Sequence, residues 1–145
     1  MNNSYSAHST ILINSDLQTV WNTVTKPYQQ KLKTDQNGNS EAWQVGSSLS
    51  FAGQWDKSEY EDKGVIVRLI EHKVFEYAFW TKFSGRLDLP ENYDTITFEF
   101  ESDSEATRLT VTQNNYNSKE AADQSSNQWL QVLASIKLML EQPTK

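Results

Sequence analysis

Ile96, Phe98 and Phe100 alternate with Thr95, Thr97 and Glu99, and after a turn at residues 102–106 Leu109 and Val111 alternate with Thr110 and Thr112. A period of two places one set on a buried face and the other in water. Burial of one face only is the habit of antiparallel sheets, because parallel sheets are covered on both sides. The segment from Tyr93 to Gln113 is therefore an antiparallel hairpin, and something must lie on its apolar face.

The cover stands at the C-terminal end. Asn117 and Glu120 are spaced as a capping pair, Lys137 sits near the far end and Pro143 lies beyond it, which predicts one long helix. Trp129, Leu133, Ile136 and Leu140, supported by Val132, share one side of it. The first half of the helix carries Ala121, Ala122, Ser125 and Ser126 instead. A covering helix normally fills its contact face with large side chains. Two expectations stay open: a pocket under the small residues, or loops and aromatic side chains filling that space.

Upstream, Ile11-Leu12-Ile13 reads as a short strand. Ser15 with Gln18 has capping-box spacing, and Leu17, Val20, Trp21 and Val24 follow at helical intervals. Pro27 is expected to end that helix and open a second short one, from Tyr28 to about Lys33. Residues 35–40 form a loop by composition. Leu49, Phe51, Gly53 and Trp55 make an aromatic strand face, and Asp56 to Asp62 reads as an acidic turn. Gly64–Ile70 and Val74–Trp80 are two further strands joined around Glu71-His72. Both carry apolar residues on both faces, so pairing Arg68 with Phe75 and pairing Leu69 with Phe75 are equally compatible, and one residue of slip inverts every side chain.

Composition narrows the class. At 145 residues one domain, 1–145, is expected, in the α+β class. Hydrophobic residues reach only 37 %, yet aromatic residues reach 12 %, which argues against disorder and for a core built from a few large rings. A net charge of −6 argues against nucleic acid and anionic membrane surfaces as partners. No cysteine is present, so thiolate chemistry and cysteine-bound metals are excluded. No apolar run suits a membrane span or a signal peptide, and a cytoplasmic location is expected.

Catalytic signatures are missing. His8 and His72 are the only histidines and lie in separate contexts, no metal-ligand spacing occurs, and no serine stands in a nucleophile elbow. No catalytic residue, cofactor or metal is expected. Arg86, in the apolar loop of Phe83, Leu87 and Leu89, is a candidate partner for a ligand carboxylate or phenolate if that loop acts as a lid, and a partner for a surface acid if it is static.

The order of elements, a strand, two short helices, an antiparallel meander and a long last helix, is that of the helix-grip fold. Val20-Trp21, Gly46, Gly64-Val65-Ile66, Trp80, Leu89-Pro90-Glu91-Asn92-Tyr93, Thr107 to Gln113, and Trp129-Leu130 fall in matching places. On these the chain resembles the START-like SRPBCC superfamily, within the branch of heat-shock-protein-90 ATPase activator homologues (AHSA-like). Glu71-His72 stands where the branch usually has a proline. The resemblance implies a curved sheet wrapped around the last helix and a cavity between them that takes a lipid, polyketide, flavonoid-like or other apolar or aromatic molecule. It implies a lining of Phe51, Trp55, Phe98, Val111, Trp129 and Leu133, with either Tyr77 and Phe79 or their neighbours, Trp80 among them. Tyr77 would either orient a polar ligand atom or satisfy its own hydroxyl at a wet edge. The alternative that the resemblance implies is a protein-interaction module regulating a chaperone ATPase, as in stress-response co-chaperones. True activators, however, join such a domain to a separate chaperone-binding one, for which 145 residues leave no room. A cyclase or hydrolase acting in the cavity is the remaining reading.

Overall fold

The computed structural model describes residues 5–55 and 58–142, apart from the side chains at 54, 55 and 58. Among them the elements run β1 (Tyr5–Ile13), α1 (Leu17–Gln29), β2 (Ser48–Trp55), β3 (Ser58–Ile70), β4 (Val74–Trp80), β5 (Asp94–Asp103), β6 (Ala106–Tyr116) and α2 (Lys119–Glu141). The six strands form one antiparallel sheet in the order β1-β6-β5-β4-β3-β2. The architecture is α+β with a long C-terminal helix, as expected.

The β5–β6 hairpin is as the alternation predicts: Ile96, Phe98, Phe100, Leu109 and Val111 are buried, and Phe98 lies opposite Val111. The ambiguous register of β3 and β4 resolves to Leu69 opposite Phe75 and Ile70 opposite Val74. A three-residue turn, Glu71 to Lys73, closes it, with His72 at φ 67° and the Lys73 amide donating to the Ile70 carbonyl. Ile66 pairs with Tyr77 but Arg68 with Glu76, so Val67 is an extra residue in β3. This bulge reverses the parity of the strand partway along, which is why its apolar pattern fits neither face. Phe75, Tyr77 and Phe79 consequently face the helices, while Trp80 lies on the other side.

Several local expectations are corrected. The region from Glu59 to Asp62 is strand, not turn, because it pairs with β2, Asp62 facing Phe51 and Glu61 facing Ala52; Asp56 lies outside the described residues. The first helix is one element and not two. Pro27 falls in its last turn, where its missing amide leaves only the Thr23 carbonyl without a helical donor. Its cap is Asp16 instead of Ser15, since Asp16 is the residue with extended backbone just before Leu17; it accepts from the Thr19 amide at 3.1 Å and from the Thr19 hydroxyl at 2.6 Å. Likewise Ser118, not Asn117, caps α2, accepting from the Ala121 amide at 3.1 Å.

The small-residue half of α2 has a different use from a pocket roof. It lies along β1, the edge strand of the sheet. The His8 amide donates to Ser126 Oγ at 2.9 Å, and the Ser9 hydroxyl donates to the Ser126 carbonyl. Further along, Lys137 Nζ donates to the Leu12 carbonyl at 2.8 Å and the Asn14 amide to Glu141 at 2.6 Å. Only small side chains let a helix approach a strand edge this closely, and covering that edge removes a row of unpaired backbone groups from water. Ala122 and Ser125 are accordingly buried. Of the two open expectations the pocket is not met there, and it is β1, neither a loop nor an aromatic side chain, that takes up the space. At the opposite edge, residues 31–33 run beside β2, with the Ser50 amide on the Lys31 carbonyl and the Lys33 amide on the Ser48 carbonyl.

Candidate ligand groove

Space opens instead beside the second half of α2. A groove of about 380 Å³ runs between α1, α2 and the sheet. Thr23, Val24, Pro27, Tyr28 and Lys31 form one wall, Trp129, Val132, Ile136 and Met139 the other, and Phe51 and Phe98 the floor. Its lining is almost wholly apolar, as ligand sites generally are. A hollow of about 600 Å³ elsewhere is bordered by Lys73, Glu99, Glu101 and Arg108. Leu17, Val74 and Phe100 also line it, but Arg108 on its border is already tied to Glu101 and Asp103.

The lining is built from short aromatic contacts. Trp129 meets Phe98 edge-on, with centroids 5.7 Å apart. Tyr28 meets Phe51 at 6.2 Å, Phe98 at 6.0 Å and Phe75 at 5.0 Å. Behind it the Tyr28 and Tyr77 hydroxyls share a hydrogen bond of 3.0 Å. Burial pushes both phenols above their ordinary value, Tyr77 far above it. Both therefore stay neutral at physiological pH and can donate or accept, but neither serves as a base.

A polar relay reaches the groove from outside. Trp129 Nε1 donates to Gln113 Oε1 at 2.8 Å, and Gln113 Nε2 donates to Asp94 at 2.9 Å. Arg86 pairs with the other Asp94 oxygen at 3.4 Å and donates to the Asn115 carbonyl at 3.3 Å. Partial burial raises the Asp94 carboxyl despite the opposing pull of Gln113 and Arg86. The loop that carries Arg86 is pinned at several points. Trp80 Nε1 donates to the Arg86 carbonyl at 3.1 Å, Lys63 grips Asp88 at 2.7 Å, and the Tyr93 hydroxyl donates to Asp88 at 2.6 Å. Burial, with Asp88 adding to it, pushes the Tyr93 phenol up to about 12.

Of the residues expected to line a cavity, Phe51, Phe98 and Trp129 meet in the groove. Tyr77 stands one layer behind, through Tyr28, and Phe79 packs edge-on against Phe51 at 5.3 Å. Val111 and Leu133 are completely enclosed in the core. Arg86 is held by Asp94, and the Trp55 side chain lies outside the described residues. The α1 wall was missed altogether. Val20, Val24 and Tyr28 continue a single helical stripe across Pro27, a signal hidden by reading the proline as a break. Among the described residues no cluster of three potential metal ligands occurs, and no helix is long and apolar enough to cross a membrane.

A family model described as activator of Hsp90 ATPase homolog 1-like protein matches residues 14–141. The chain belongs to this family. No curated protein matches it significantly. Among solved structures, ChR145 from Cytophaga hutchinsonii is 26 % identical, with 97 % of each chain covered and a TM-score of 0.81. The Aha1 dimer from Colwellia psychrerythraea is 22 % identical over 94 % of this chain and 96 % of that one, with a TM-score of 0.63. CalU16 from Micromonospora echinospora is 11 % identical, covers 91 % of this chain and 73 % of its own, and has a TM-score of 0.64. The last two speak for the helix-grip fold alone, and this member of the activator-homologue family shares it through its sheet and long last helix.

Proposed function

We propose that this protein binds a small apolar or aromatic molecule, without catalysis, in the groove between α1, α2 and the sheet. The supporting observation is the groove itself: about 380 Å³ walled by Tyr28, Phe51, Phe98, Trp129, Ile136 and Met139. Affinity comes from removing apolar surface from water, about 25 cal/mol per Å² before the costs of association. The Tyr28–Tyr77 hydroxyl pair supplies a neutral polar handle, and the relay from Arg86 through Asp94 and Gln113 holds the Trp129 ring in place. The test is a titration with fatty-acid, flavonoid-like and polyketide compounds, followed by tryptophan fluorescence and amide shifts. Val132→Trp, which fills the groove from a half-exposed position, is expected to weaken binding more than tenfold with little change in stability. Saturable binding that survives this substitution, or no response to any compound, overturns the reading.

The family description favours one second reading, regulation of a chaperone ATPase. An Hsp90 ATPase assay with and without the protein separates the two. Clear stimulation that Val132→Trp leaves unchanged would place the activity on a surface away from the groove.

A further inference from the structure

Asp62 sits in β3 directly across from Phe51 and is only 8 % exposed. Its Oδ1 is fully buried and has no hydrogen-bond partner, alone in this among the side-chain polar atoms of the described residues. Buried polar atoms in native proteins nearly always find partners, so an orphan carboxylate oxygen demands one.

Among the described residues no ion pair to Asp62 is formed. Lys63, next in the strand, is held by Asp88 at 2.7 Å. Arg68 pairs with Glu76, Arg86 with Asp94, and Arg108 with Glu101 and Asp103. Glu61, on the other side of Asp62 in the strand, is acidic as well and accepts from the Ser50 hydroxyl. Lys31 lines the groove but is exposed to water at its rim.

Its position connects it to the groove. Phe51 forms part of the floor, and residues paired across an antiparallel ladder stand about 5 Å apart at their Cα atoms. Gly64, two residues along β3 on the same face, has no side chain, and the Phe51 ring lies 3.3 Å from where a Cβ would stand. Asp62 is thus one residue beyond the groove floor, on the same face of the sheet.

We infer that Asp62 anchors a protonated amine, and that the ligand is an amphipathic cation whose apolar body lies in the groove while its ammonium pairs with Asp62 Oδ1. This rests on the groove reading above. An ammonium satisfies both needs of the site, a hydrogen-bond donor for Oδ1 and a positive charge for the carboxylate.

Three probes with one apolar body separate the possibilities: decylammonium, decanol and decanoate, each titrated below its micelle concentration by calorimetry at neutral pH. The expected result is binding of decylammonium about tenfold or more tighter than decanol, with decanoate weakest. The Asp62 side-chain carboxyl carbon should shift in its NMR signal with decylammonium and not with decanol. In Asp62→Asn the preference for the amine should vanish while decanol binding is kept. If that variant does not fold, the wild-type ranking and the carboxyl signal decide alone. Equal binding of all three, or decanoate binding tightest as Lys31 at the rim would favour, overturns the anchor and leaves the groove reading standing. Absence of binding by all three overturns both.

Discussion

Replacing Tyr28 with phenylalanine removes one of two hydroxyls that share a single 3.0 Å hydrogen bond. The loss is not that bond alone, because the Tyr77 hydroxyl then stays buried without a partner. Tyr77 is only 4 % exposed, so its hydroxyl is largely shut off from water. An orphaned buried hydroxyl costs about 1–3 kcal/mol, and Tyr28→Phe is expected near the middle of that range, at about 2 kcal/mol. In Tyr77→Phe the group left behind belongs to a half-buried residue on the groove wall. Water entering the groove can satisfy it, so about 1 kcal/mol or less is expected. Removing both hydroxyls leaves no orphan and should be nearly neutral. The unfolding entropy of about 2.1 cal/mol/K per residue comes to about 0.3 kcal/mol/K for this chain, so 2 kcal/mol lowers Tm by about 7 °C. Calorimetry and urea unfolding of the two single variants and the double variant close the cycle. Equal costs for the two single changes, or a double variant that loses the sum of both, would refute the argument that orphaned burial sets the magnitude.

Two further predictions test the frame around the groove. Ala122→Leu places a large side chain where α2 meets the β1 edge, and overpacking there should cost about 1–3 kcal/mol in urea unfolding, whereas an unchanged midpoint would mean that the space under this half of α2 is open after all. The tie between the 81–92 loop and β3 should depend on acid. Lys63 and Tyr93 hold the Asp88 carboxyl below its ordinary 3.8, so the tie is complete above 3.8 and is lost as pH falls through the lower folded value. Hydrogen exchange of the loop amides, corrected for intrinsic rates, should show protection steady from neutral pH down to 3.8 and falling only below it; loss of protection well above 3.8 would contradict the assignment.

The β5–β6 hairpin and the α2 stripe were legible because each has one buried face and one wet face, and the pattern is then the side-chain period itself. Val67 defeated the same method in β3. A bulge inserts one residue, and no local property of Val65, Val67 or Ile70 marks which of them leaves the ladder. Pro27 misled for a related reason: it gives up one helical hydrogen bond without ending the helix, so the Val20, Val24, Tyr28 stripe runs through it. The small residues of α2 were read correctly as unusual, but their partner, the β1 edge, is over a hundred residues away in the chain.

By itself, then, the sequence determined the class, the antiparallel hairpin, the long covering helix and the aromatic character of the interior, since all of these follow from local periodicity and composition. Tertiary structure decided which end of α2 roofs a space. It also decided that α1 supplies a wall and that Asp62, which reads as part of a solvated turn, is buried without a partner. Those outcomes depend on which surfaces meet across the chain, and a one-residue change of register is enough to exchange an inward side chain for an outward one.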